Sequence, residues 1–116
     1  MNFELDDVTQ AVREAARRFS DEQLAPHYQA REAAGRFDRD LLLEMGGLGL
    51  IAADLPEEFG GIGAPGLTQG VVMEEIGRGD MNIGYVQLLS SLIGGVLVRY
   101  APKALAAEML PEIASG

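Results

Sequence analysis

The chain offers few side chains with which a protein could catalyse a reaction. It contains no cysteine, and its only histidine, His27, directly follows Pro26 and has no obvious acidic partner. General acid–base catalysis needs a second positioned group, and a metal site needs several histidine, cysteine or carboxylate ligands. The sequence therefore predicts no catalytic residue and no metal site in this segment.

Two pairs of adjacent glutamates, 57–58 and 74–75, are the remaining candidates for acid–base chemistry. Paired-carboxylate catalysis needs two acids that face each other across a cleft. Neighbours in sequence rarely do so, and on a helix they point to different sides. The favoured interpretation is that both pairs are solvated or cap a loop.

The glycine-rich segment Gly60–Gly63 resembles a phosphate-binding loop only in its glycine content. No lysine followed by serine or threonine comes after these glycines, and the strand–turn–helix spacing of a dinucleotide-binding motif is missing. Turns that require a positive φ explain the glycines better. No cofactor-binding residue is predicted from this pattern.

A long apolar segment is the most informative feature. No charged residue occurs from residue 81 to 98, and large side chains recur there at helical spacing as Tyr85, Leu88, Leu89, Leu92 and Val96. Two interpretations stay open, core packing and the wall of an apolar pocket. The segment is nearly long enough to cross a bilayer, but polar residues and glycines interrupt it, so no membrane span is predicted.

Composition excludes other functional classes. The 18 acidic residues outnumber the 9 basic residues, which gives a net charge of −9. This balance is the opposite of what binding to nucleic acid or to an anionic membrane surface requires. Residues 1–7 contain three acids and no base, unlike a signal peptide, so a cytoplasmic location is expected.

The apolar periodicity predicts an all-α fold, an up-and-down bundle of about five helices in one domain over residues 1–116. Residues 46–66 form a long loop, which is expected to be functional or packed against a neighbour. The uncharged fourth helix is expected at the centre of the bundle. The predicted helices span about residues 5–33 with a change of direction at Pro26, 38–45 with Asp38 as N-cap, 67–78, 82–100 after a cap by Asp80 or Asn82, and 102–110, where Pro111 ends the helix.

A series of short motifs carries a resemblance to a known family. They occupy residues 12–19, 24–26, 35–38, 48–50, 74–80 and 110–116, and the most specific is the sequence LPEEFGG at residues 55–61. In this order and spacing they resemble the N-terminal helical domain of acyl-CoA dehydrogenases, over about residues 3–116.

This resemblance implies a function for a longer protein. Family members use FAD to remove the α and β hydrogens of an acyl-CoA thioester, giving a 2-enoyl-CoA, and usually pass electrons to an electron-transfer flavoprotein. A β-domain and a C-terminal helical bundle are expected downstream; they hold most of the FAD and supply the glutamate base. The resemblance also implies a homo-oligomer, a tetramer or dimer. No catalytic residue is expected in this segment.

By position, the resemblance implies that Tyr85, Leu88, Leu89 and Leu92 form part of the acyl pocket wall. Segments 35–40 and 79–86 are similar to members that act on alicyclic acids such as cyclohexanecarbonyl-CoA, and straight-chain substrates remain open. The alternatives are an acyl-CoA oxidase or a flavin monooxygenase of the same superfamily, or a non-enzymatic helical interaction module.

Overall fold

The computed structural model describes residues 2–116, which form helices and loops without a β-strand. The π-helical turn Ser20–Leu24 and the 3-10 turn Ala25–His27 join the first two α-helices into one bent rod. The all-α bundle of about five helical rods is therefore confirmed. The α-helices are Asp7–Phe19 (α1), Tyr28–Ala34 (α2), Arg39–Gly47 (α3), Gly66–Gly79 (α4), Met81–Tyr100 (α5) and Lys103–Ser115 (α6).

The bend between α1 and α2 lies where Pro26 predicted it. Proline has no N–H group, so it cannot complete the regular hydrogen-bond ladder of a helix. Two backbone carbonyls in this irregular segment, those of Gln23 and Leu24, accept hydrogen bonds from the guanidinium of Arg31. The bend is thus closed by a side chain that lies about two helical turns further along the chain.

Helices α1 and α4 form the centre of the core. Thr9 and Thr68 share a buried hydrogen bond of 2.8 Å between their hydroxyl oxygens. Gly79 lies so close to Ser20 that a Cβ atom there would overlap the Ser20 hydroxyl. The largest fully buried apolar side chains form one core cluster and are Leu24, Met45, Leu50, Ile51, Leu55, Val72, Ile76, Ile83 and Leu110.

The long loop before α4 packs against the core. Packing of this kind was one of the two roles expected from its sequence. Leu50, Ile51 and Leu55 are buried. Gln69 on α4 satisfies the loop backbone: its side-chain oxygen accepts from the N–H of Ala53 at 3.2 Å, and its side-chain amide donates to the carbonyl of Ile51 at 3.4 Å. A buried loop needs such partners because its own backbone pairing is irregular.

Two expectations about the last helices are wrong. Helix α5 is not enclosed at the centre of the bundle, because its small and polar residues face inward and most of its large apolar residues face outward. Helix α6 continues through Pro111 to Ser115. The carbonyl that loses its partner to Pro111 belongs to the exposed Ala107, where water can replace the N–H group.

Leu24→Ala should destabilise the chain by about 2–5 kcal/mol, because it removes a fully buried side chain at the bend. Leu67→Ala is the matched control: this leucine is 67% exposed, and its loss should change stability by about 0.5 kcal/mol or less. Urea unfolding followed by circular dichroism measures both. Equal effects of the two substitutions would contradict the described packing of the bend.

Candidate functional site

The four residues predicted to form an apolar wall lie together on one exposed face of α5. Tyr85, Leu88, Leu89 and Leu92 are 57%, 40%, 48% and 60% exposed. Their spacing of three and four residues makes one continuous stripe. The alternative that these side chains pack in the core of this domain is therefore wrong. An exposed apolar stripe of this size is typical of a surface that binds a ligand or another part of a protein.

A groove between α4 and α5 borders this stripe. Its volume is about 560 Å³, and Tyr85 and Leu88 line it together with Met73, Gly77 and Gly84. A Cβ atom on Gly84 would lie 3.2 Å from the Cα of Gly77, so the two helices touch there through their backbones. Glycine at these positions leaves the groove free of side chains at its base. Leu89 and Leu92 extend the apolar surface beyond the groove.

Contacts on the opposite, inward face of α5 fix how the helix is rotated about its own axis. Gln87 is fully buried and donates to the carbonyl of Gln69 at 3.4 Å. The hydroxyl of Ser91 donates to the carboxylate of Asp54 at 2.6 Å. Gly94 packs directly against the side chain of Leu55. These inward contacts use small and polar residues, so the large apolar residues are left on the outside.

Asp80 joins α4 to α5. It is the single residue between the two helices, and it is buried. One carboxylate oxygen caps α5 by accepting from the N–H groups of Asn82 at 2.9 Å and Ile83 at 3.4 Å. The other accepts from Nε of Arg31 at 2.8 Å. The sequence analysis predicted the cap but not the ion pair, because nothing in a single sequence relates residue 31 to residue 80.

Glu75 corrects an expectation about the glutamate pairs. Glu74 is exposed as predicted, but Glu75 is buried. Its carboxylate pairs with Arg13 at 3.0 Å, with Arg17 at 3.2 Å and with Arg78 at 3.2 Å. One signal could have indicated this, since Glu75 falls on the same helical stripe as the buried apolar residues of α4.

The environment of Glu75 has two opposing effects on its pKa. Burial raises the pKa, because a charged carboxylate is poorly solvated there. Hydrogen bonds from Arg13, Arg17 and Arg78 lower it, and together they outweigh burial, so the pKa of Glu75 lies below its ordinary value of 4.5. Glu75 is thus a charged structural link between α1 and α4.

The glycine-rich segment forms closed turns, which confirms the interpretation made from its sequence. The N–H groups of residues 60–63 donate to backbone carbonyls within residues 53–57. Gly60 and Gly63 have positive φ values of 93° and 64°. With these N–H groups already paired, the segment does not fit a flavin phosphate.

The described residues contain no group of three histidine, cysteine or carboxylate side chains that could hold a metal ion. His27 is exposed and lines a cleft of about 590 Å³ at the connection between α2 and α3, together with Arg36, Asp38 and Arg39.

Helix α5, Met81–Tyr100, is long and apolar enough to cross a membrane by length and composition alone.

Comparisons with known proteins connect this geometry to a family. A family model described as "Acyl-CoA dehydrogenase, N-terminal domain" matches residues 6–116. The chain is 34% identical to (2S)-methylsuccinyl-CoA dehydrogenase of Cereibacter sphaeroides over 118 aligned residues, which cover 97% of this chain and 21% of the relative. It is 35% identical to a probable acyl-CoA dehydrogenase of Bacillus subtilis (strain 168) over 92 residues, which cover 78% of this chain and 24% of the relative.

A solved structure shows the same arrangement of helices. Butyryl-CoA dehydrogenase from Megasphaera elsdenii matches with a TM-score of 0.86 and 25% sequence identity, over 99% of this chain and 31% of that chain. The present chain spans about a quarter of the length of the curated relatives it matches.

Glu75→Gln should lower the free energy of unfolding by about 2 kcal/mol at neutral pH, because it removes a buried charge that three arginines hydrogen-bond. The lowered pKa of Glu75 means that this contribution is present above the ordinary value of 4.5 and is lost as the pH falls through the lower folded value. The difference between wild type and variant should therefore shrink below about pH 4.5.

Glu74→Gln is the control for this measurement, since it makes the same chemical change on the exposed neighbour. Urea unfolding across the acid range should show little effect of Glu74→Gln at any pH. A Glu75→Gln penalty that stays constant down to the lowest pH would contradict the role of the ionised carboxylate.

Proposed function

Because this chain belongs to the acyl-CoA dehydrogenase family, as its N-terminal helical domain, we propose that the whole protein converts an acyl-CoA thioester to a 2-enoyl-CoA. The substrate loses a proton from its α carbon and a hydride from its β carbon, and FAD is the oxidant that would accept the hydride. The role of this chain is to form one wall of the pocket for the acyl group.

The observation that carries this proposal is the outward apolar face of α5. A face made of Tyr85, Leu88, Leu89 and Leu92, beside a groove with a glycine base, suits an elongated apolar group. Covering this face in the whole protein would also exclude water from the reacting carbons, which strengthens the electrostatic interactions there.

The FAD site and the catalytic base of the whole protein would lie outside this chain. The glycine turns of this chain do not fit a flavin phosphate, and the sequence has no cysteine and a single, exposed histidine. Membership of the family implies that the FAD site and the catalytic glutamate lie in a downstream β-domain and C-terminal helical bundle, and the proposal adopts this arrangement. The proposal includes an electron-transfer flavoprotein as the electron acceptor and a homo-oligomeric assembly, a tetramer or dimer.

The substrate class follows from the chemistry of the wall. The exposed stripe of α5 carries no charge, while Glu74 and Arg78 of α4 line one side of the groove. The apolar end of the acyl group would lie against the stripe, where an acyl group ending in a carboxylate fits less well. Gly77 and Gly84 place no side chain at the base of the groove, which would admit a branched or alicyclic acyl group as well as a straight chain. Butyryl-CoA and cyclohexanecarbonyl-CoA are suitable test substrates for these two shapes.

The full-length protein should be yellow as purified, and its flavin absorbance should bleach when one of these two thioesters is added without oxygen. Bleaching followed by slow recovery in air indicates a dehydrogenase, whereas fast recovery with peroxide release indicates an oxidase. A colourless protein that takes up no FAD would overturn the proposed function and favour a helical interaction module.

Leu92→Ala in the full-length protein should shift relative activity toward bulkier acyl groups, because removing this side chain from the proposed wall enlarges the pocket. Apolar pockets discriminate by about 1–3 kcal/mol per methylene, so the ratio of kcat/KM values should change by about tenfold. Leu67→Ala, on the exposed surface of α4, should leave the ratio unchanged. Equal losses for all substrates would show that Leu92 contributes to packing and not to the pocket.

A further inference from the structure

The chain changes direction between α4 and α5 at a single residue, Asp80. Helix α4 ends at Gly79, α5 begins at Met81, and Asp80 between them has an extended backbone with φ −158° and ψ 109°. Both oxygens of its carboxylate are engaged, one by the first turn of α5 and one by Arg31. The carboxylate therefore connects the start of α5 to a part of the chain outside both helices.

Arg31 extends this connection to the bend of the first helical rod. Its side chain is mostly buried, and besides Asp80 it contacts the carbonyls of Gln23 and Leu24. A guanidinium can bind a carboxylate and two carbonyls at once because its five N–H groups form a rigid planar fork, which the single ammonium of lysine cannot reproduce. Arg31 thus ties the start of α5 to the irregular backbone before Pro26.

A small change of angle at Asp80 has a large effect at the groove. Leu88 lies eight residues after Asp80, which is about 12 Å along the helix axis. A tilt of about 5° at Asp80 would therefore move Leu88 by about 1 Å. The two helices touch through their backbones at Gly77 and Gly84, about one helical turn from Asp80, so this contact can serve as the pivot of such a tilt. Further along α5, the hydrogen bonds of Gln87 and Ser91 limit the size of the tilt.

We propose that Arg31 and Asp80 are positioning residues that set the tilt of α5, and so the width of the groove that receives the end of the acyl group. This inference rests on the proposed function. A well-packed apolar pair at the same place could stabilise the junction about as well as this ion pair. What the ion pair adds is a defined direction for α5, because its hydrogen bonds form only at one relative orientation of the two side chains.

Asp80→Asn and Arg31→Lys test this in the full-length protein. Asparagine keeps the oxygen that caps α5 but loses the charge toward Arg31, and lysine keeps the charge but loses the fork. We expect the ratio of kcat/KM for octanoyl-CoA to that for butyryl-CoA to change by about tenfold in each variant, mainly through KM for the longer thioester. The double variant should shift the ratio no further than either single variant.

The matched controls are Asp7→Asn and Arg18→Lys, which make the same changes at exposed residues away from both the groove and the junction. They should leave the ratio and the flavin content at wild-type values. An unchanged ratio in both test variants, or an equal loss for both substrates, would overturn this inference while leaving the proposed function intact. If Arg31→Lys fails to fold, Asp80→Asn alone decides the matter. A wild-type protein that oxidises no acyl-CoA would overturn both proposals.

Discussion

Two buried carboxylates, Glu75 on α4 and Asp80 at the break between α4 and α5, constrain the rest of the structure. Removing a carboxylate from water is costly unless cations and hydrogen-bond donors replace the water. Glu75 obtains them from Arg13, Arg17 and Arg78, and Asp80 obtains them from Arg31 and the first turn of α5. Three of these arginines lie on the first helical rod. Their ion pairs therefore fix the position of that rod against α4 and α5.

The inner face of α5 explains why its outer face remains apolar and exposed. Gln87, Ser91 and Gly94 fill the inner face and meet specific partners on α4 and on the loop before it. The helix is therefore anchored without using most of its large apolar side chains. Those side chains stay available on the outside, where a protein that had no use for them would expose a surface prone to association.

In the proposed function, this chain would contribute shape and water exclusion to catalysis. Most of its charged side chains are engaged in structural ion pairs or lie on the surface, and Asp54 accepts a hydrogen bond from Ser91. The glycine turns before α4 close on themselves. Under this proposal, the reacting groups lie in other domains of the whole protein. The same reasoning explains why the residues that matter here are leucines, glycines and a tyrosine, whose function is visible only in relation to a substrate.

Local sequence signals determined much of the fold and little of its arrangement. The bend at Pro26, the caps at Asp38 and Asp80 and the helical stripe from Tyr85 to Leu92 could all be predicted, because each depends on residues within a few positions of one another. Only the tertiary structure decided that Glu75 is buried, that Arg31 meets Asp80 and that the stripe faces outward. Periodicity shows that a helix has two different faces, but which face turns inward depends on partners that lie 18 to 62 residues away along the chain.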